Sequence, residues 1–171
     1  MRKLFLGALC ALAWVGVARA QVAGSYGSAT VALSTPTSAY ATGQVVGGLE
    51  TFAGMAQLPG LVSNVQVNWG DAQTGPFDLY LFRAAPSGAS VVADHSALSI
   101  APADVGLLLG VVHLTDCTVQ SGTLGSQCQA VNPQVPFPGA ANGPLYGVLV
   151  ARVAFTPASA TDASVTLTAN Y

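Results

Sequence analysis

Asp94-His95-Ser96 comes closest of any stretch in the chain to a set of residues that could do chemistry. A carboxylate, an imidazole and a hydroxyl are the working parts of a serine hydrolase, in which the imidazole takes the hydroxyl proton and the acid orients the imidazole. Consecutive residues of an extended chain point to opposite faces, and such triads are assembled from distant positions. No Gly-x-Ser-x-Gly turn is present to expose a nucleophile. The stretch therefore reads as a polar turn before Leu98. His113, in Gly-Val-Val-His-Leu, reads as a hydrogen-bonded strand histidine. With two histidines in the chain, a zinc site would need Asp or Cys partners from elsewhere. Asp71 and Asp78 flank Gly75-Pro76 and could offer oxygens to calcium. Calcium wants about six to eight of them, and no Asp-x-Asp-x-Asp spacing supplies more, so solvated turn acids are expected. Two of the seven acids could pair for glycoside cleavage, but acids scattered over loops are what any acidic protein is expected to have. Trp69, Tyr80 and Tyr146 could stack on a sugar, but two of the three fall in strands with a central pattern, where core packing is expected. The expectation is a protein without catalytic residues, cofactor or metal.

The remaining reactive side chains depend on the compartment. Residues 1–20 open with Met-Arg-Lys, run apolar from Leu4 to Val17, and close on Ala18-Arg19-Ala20. A charged start, a short apolar stretch and an A-x-A site make a secretory signal peptide, with cleavage expected between Ala20 and Gln21. The apolar run spans about 21 Å as a helix at about 1.5 Å per residue, short of the roughly 30 Å hydrocarbon core. Cleavage would remove Arg2, Lys3, Arg19 and Cys10. Arg83 and Arg152 then face all seven acids, for a net charge of −5 and no lysine. Nucleic-acid binding needs clustered Lys and Arg, and anionic membrane surfaces need the same, so neither partner is expected. Cys117 and Cys128 would remain in an oxidising compartment, where a disulfide is expected. A ring of that size contributes on the order of 3 kcal/mol through the unfolded state. The spacing is far from Cys-x-x-Cys, which argues against a redox pair.

The elements that would position these side chains are strands. Val65, Val67 and Trp69 alternate with Asn64, Gln66 and Asn68, and Val165, Leu167 and Ala169 with Thr166, Thr168 and Asn170. That is the period of half-buried strands. Phe77 to Phe82 and Leu145 to Val153 are apolar on both faces and read as central strands. Further strands are expected near 29–33, 44–52 and 108–114. Gly70-Asp71, Pro86-Ser87-Gly88, Pro138-Gly139 and Asn142-Gly143-Pro144 mark turns. Pro102 and Asp104 suit the first turn of one short helix near 102–108. Residues 117–143, with Pro133, Pro136 and Pro138, show little regular pattern and read as a long surface loop stapled at its base by the disulfide. Residues 21–171 thus predict one all-β domain, an antiparallel β-sandwich of jelly-roll type with seven or eight strands. Loops on rigid scaffolds often carry binding, which makes Asp116, Gln120, Gln127, Asn132 and Phe137 the expected interaction residues.

Six stretches occur in order across residues 30–170: Ala39-Tyr-Ala-Thr-Gly-Gln-Val-Val-Gly-Gly48, Pro76-Phe-Asp-Leu-Tyr-Leu-Phe82 followed by Pro86-Ser87, Ala97-Leu-Ser-Ile-Ala-Pro-Ala-Asp104, Leu109-Gly-Val-Val112, Leu145-Tyr-Gly-Val-Leu-Val150, and Thr161-Asp162 before a final strand. In this ordered set the chain resembles a family of small, largely uncharacterised tailed-phage virion proteins encoded among structural genes. The resemblance implies a β-sandwich that packs into or decorates a particle, with no enzyme activity. A terminal alternating strand ending Thr168-Ala-Asn-Tyr171 and a single cysteine pair also resemble pilin or surface-coat subunits, which complete a sandwich with a neighbour's strand. A secreted carbohydrate-binding module is a further reading. The expectation is an exported structural or interaction protein, periplasmic, at the cell surface, extracellular or on a virion. Protein partners or copies of itself come first among its expected contacts, and glycan second.

Overall fold

A computed structural model describes residues 25–73, 75–120, 125–139, 143–161 and 163–171. The signal segment and its cleavage point lie outside the described residues, as does Asp162. Among the described residues, nine strands form two antiparallel sheets: β1 (Tyr26–Leu33), β2 (Val45–Ala56), β3 (Gly60–Trp69), β4 (Phe77–Phe82), β5 (Leu108–Leu114), β6 (Asp116–Val119), β7 (Ser126–Phe137), β8 (Gly143–Ala151) and β9 (Ala163–Asn170). One sheet has the order β1-β9-β3-β7-β6 and the other β2-β8-β4-β5. Apart from β6, which extends an edge, the two orders are those of a jelly roll, in which successive strands cross between facing sheets as two Greek keys. β1 packs against β2 along one side and β5 against β7 along the other.

The alternation read from the sequence sets the core. Val62, Val65, Val67 and Trp69 of β3 and Ala163, Val165, Leu167 and Ala169 of β9 point inward and are buried. They meet Phe77, Leu79 and Leu81 of β4 and Leu145 and Leu149 of β8 from the facing sheet. β4 and β8 are central, each paired on both edges. Their second apolar face is buried because the long connection from Arg83 to Leu107 folds over it. Val45, Phe82, Val148 and Val150 form a second cluster there, beneath Val92, Leu98, Ile100 and Leu107. Tyr80 and Tyr146 belong to this second cluster and Trp69 to the main core, so the three rings make no common platform.

Two expectations need correction. The short helix near 102–108 is a single 3-10 turn at Val105–Leu107. Gly106 and the return to β-formers stop it there, and Asp104 does not cap it. Instead the Asp104 carboxylate accepts bonds from the Ser87 amide (3.0 Å), the Ser87 hydroxyl (2.8 Å) and the Ser90 hydroxyl (2.6 Å). It thereby pins the covering connection to itself.

The second correction concerns residues 117–143, expected as an irregular loop. Most of the described residues there belong to β6 and β7. The disulfide joins Cys117 and Cys128, which are directly paired across β6 and β7, so it staples two strands rather than the base of a loop. The prolines that suggested irregularity sit where β7 can tolerate them. Pro133 lies in a kink between Asn132 (φ 54°) and Gln134 (φ 58°), beside the register shift against β3. Such a bulge leaves an amide unpaired, and proline has none to leave.

Candidate functional site

Three regions gather polar side chains, and each is set by the fold differently. The first is the outer face of the five-stranded sheet. Register places Thr30, Thr166, Gln66, Gln129 and Asp116 in one row across all five strands. A second row holds Ala32, Ser164, Asn68, Gln127 and Thr118, and a third holds Ser28, Thr168, Asn64 and Val131. Neighbours bond within this grid: Thr30 to Thr166 at 2.9 Å, Gln66 Nε2 to Asn68 Oδ1 at 2.7 Å, and Gln129 Nε2 to Asp116 Oδ2 at 2.9 Å. Asp116, at the edge, is the one formally charged residue of the three rows. Strand spacing of about 4.8 Å and a side-chain repeat of roughly 6.8 Å along each strand make a regular array of hydroxyl and amide groups.

The second region is the open side between β5 and β7. A groove of about 420 Å³ runs there between Val111, His113 and Thr115 on one wall and Asp116, Gln129 and Val131 on the other. At its rim His113 Nδ1 lies 2.6 Å from Asp78 Oδ1, and Arg152 approaches the same oxygen at 3.7 Å. The His113 side chain is 61% exposed and that of Asp78 16%, so the imidazole faces water while the carboxylate is half-buried beneath it. This is the hydrogen-bonded strand histidine expected from sequence.

The third region lies at one end of the sandwich, where the β1–β2 loop meets the covering connection. His95 Nδ1 is 2.9 Å from Asp94 Oδ2, and His95 Nε2 is 3.0 Å from Ser38 Oγ. Asp94 Oδ1 accepts from the Tyr40 hydroxyl and from the Gly47 amide, each at 2.7 Å. Gly47 has φ 79°, a left-handed conformation that glycine adopts without strain. Burial pulls the Asp94 carboxyl upward, but the bonds from His95, Tyr40 and Gly47 outweigh it and hold the group below the usual carboxylate range. Burial, and then the adjacent Asp94 carboxylate, push the Tyr40 phenol well above its ordinary value, so it remains a donor. The Tyr40 ring packs against His95 in a tilted pair with centroids 3.8 Å apart and stacks on Phe155 at 4.9 Å, and Phe155 meets Trp69 edge-on at 5.1 Å. A ladder of rings thus ties His95 to the core.

The remaining sequence candidates separate. Asp71 accepts from the Gln73 side chain and the Ala158 amide, whereas Asp78 faces His113 and Arg152. The two are engaged apart from one another, and no group of three or more possible metal ligands occurs among the described residues. Of the expected interaction residues, Asp116 and Gln127 lie in the rows of the polar face. Gln120 and Asn132 are exposed at the end of β6 and at the β7 kink. Phe137 is buried, packed edge-on against Tyr171 at 6.0 Å, and belongs to the core. Sequence does not show Ser38 as the partner of His95 or Tyr40 as the partner of Asp94, because more than fifty residues separate each pair. Ser96, the neighbour in sequence, donates its amide to Ala93 instead. Compared with protein-family models and with curated protein sequences, the chain matches neither.

Proposed function

We propose that the protein is an exported structural subunit that packs against another protein, its own copies included, through the outer face of its five-stranded sheet. The observation that carries this is the near-absence of charge from that face. The residues expected after signal cleavage hold nine formal charges, two basic and seven acidic. One of them, Asp116, falls in the three rows, at their margin. Depletion of charge at the centre of a surface is a compositional mark of interfaces. The other eight charges, two basic and six acidic, leave a net −4 elsewhere, which keeps the other faces apart in water. Binding, not turnover, is the role this surface suits. A jelly-roll sandwich with such a face agrees with the resemblance to phage virion proteins that decorate or join a particle. The described strands close the jelly roll without a donated strand, so the pilin-like reading lacks its physical motive.

Sizing of the exported protein across concentrations tests the proposal. A defined ring, trimer or other oligomer is expected, and a monomer at every concentration counts against self-assembly. The hydroxyl and amide rows also favour a second reading, a neutral glycan as partner, since they match sugar hydroxyls without charge. Glycan-array binding by a monomer would select it.

A further inference from the structure

The Ser38–His95–Asp94 chain has an order of atoms that the interaction role does not use. We propose that Ser38 is a nucleophile for acyl transfer from small esters, with His95 as its base and Asp94 as the group that orients the base.

The protonation pattern follows from the partners. An ionised carboxylate only accepts, so Nδ1 of His95 must donate to Asp94 Oδ2. In neutral imidazole the other nitrogen is then an acceptor, and the Ser38 hydroxyl donates to it. This is the tautomer that a serine nucleophile needs, fixed here by one hydrogen bond. Asp94 is itself held by Tyr40 and Gly47 on its second oxygen, so it has little freedom to rotate away. The His95 ring is clamped against Tyr40, and the His95 backbone sits at φ 61°, a conformation uncommon outside glycine. Residues held in such sparsely populated conformations cluster at functional sites. Ser38 itself is exposed on its loop, within reach of a dissolved ester. Among the described residues the amides of Ser38 and Ala39 make no backbone–backbone bond outside the strands, and the reaction requires that these or other donors turn toward the developing oxyanion.

The step balances without a cofactor. Ser38 Oγ attacks the ester carbonyl carbon while its proton passes to His95 Nε2. The carbon–oxygen bond to the leaving alcohol then breaks, and that oxygen takes the proton from Nε2. Water, deprotonated by His95 in the same way, hydrolyses the acyl-serine and restores both groups. The His113–Asp78 pair offers an internal contrast. It has the same Nδ1-to-carboxylate contact but no hydroxyl on its other nitrogen among the described residues.

The test is labelling with a fluorophosphonate probe, read by mass spectrometry of the modified peptide, alongside release of p-nitrophenol from its acetate ester. One adduct is expected, on Ser38, absent in Ser38→Ala. His95→Ala should slow labelling roughly 100-fold or more, and Asp94→Asn at least about tenfold, with His113→Ala unchanged. Ser38→Ala removes one exposed hydroxyl, so its fold, checked by circular dichroism, is expected to be intact. Should His95→Ala lose the fold, the adduct site and the Asp94→Asn rate still decide the matter. No adduct, an adduct on another residue, or a Ser38 adduct formed equally fast in Asp94→Asn would each overturn the proposal.

Discussion

The two sheets of this sandwich present opposite outer faces. That of β2-β8-β4-β5 is apolar and lies under the connection from Arg83 to Leu107, whereas that of β1-β9-β3-β7-β6 is bare and holds rows of Thr, Ser, Asn and Gln. Both belong to one jelly roll, so topology does not account for the difference. What differs is cover. Where a chain segment lies over the strands, their outward positions can be apolar; where water does, they must satisfy hydrogen bonds. The covered face therefore contributes to stability, and the bare face is the one we propose as the contact surface.

The comparison predicts unequal responses to matched truncations. Phe82→Ala beneath the cover leaves a cavity and should cost about 3–5 kcal/mol in denaturant unfolding. Equal losses from Phe82→Ala and from a bare-face truncation would break the comparison. Replacing both Cys117 and Cys128 by Ser should cost about 3 kcal/mol, through the unfolded chain, while leaving the β6–β7 register in place. Two-dimensional NMR of the variant checks the register.

A smaller effect is expected from acid. The bonds from Ser90 and Ser87 to Asp104, and the three donors on Asp94, hold both carboxyls below their ordinary value of 3.8. Each group's contribution is complete above that pH and is lost as pH falls through the lowered values. Protection of the amides along residues 83–104, taken relative to their intrinsic exchange, should therefore fall below about pH 4, before the bare sheet responds, and Asp104→Asn should abolish part of that dependence. Thr166→Ala, in the middle of the bare face, should change stability by no more than about 0.5 kcal/mol, as a melt will show.

Alternation makes the fold legible where one side of a strand meets water. β9 follows it residue by residue and β3 does so from Asn64 to Trp69, and the double apolar runs of β4 and β8 mark central strands correctly. It does not identify what covers them, because Val92, Leu98 and Ile100 sit in a segment without period. β7 is hidden for a related reason: its kink at Asn132 to Gln134 breaks the alternation, and its prolines imitate a loop. The disulfide is legible from cysteine count and spacing, yet its role as a cross-strand staple depends on pairing the sequence does not display. At the loop end, Asp94 and His95 are adjacent in the chain and stand out in the sequence. Ser38 and Tyr40 reach them only through the packing of two connections. The polar face is legible one strand at a time, as a hydroxyl-rich outer side, while its rows, free of charge but for Asp116, emerge only from register.

The central claim is that the bare face is a contact surface, and one charge placed in it tests that most directly. In sedimentation velocity on the purified protein, the wild type and an Ala85→Arg control on the exposed covering connection should form the same oligomer. Gln66→Arg, at the centre of the rows, should sediment as a folded monomer. An oligomer unchanged by Gln66→Arg would contradict the account.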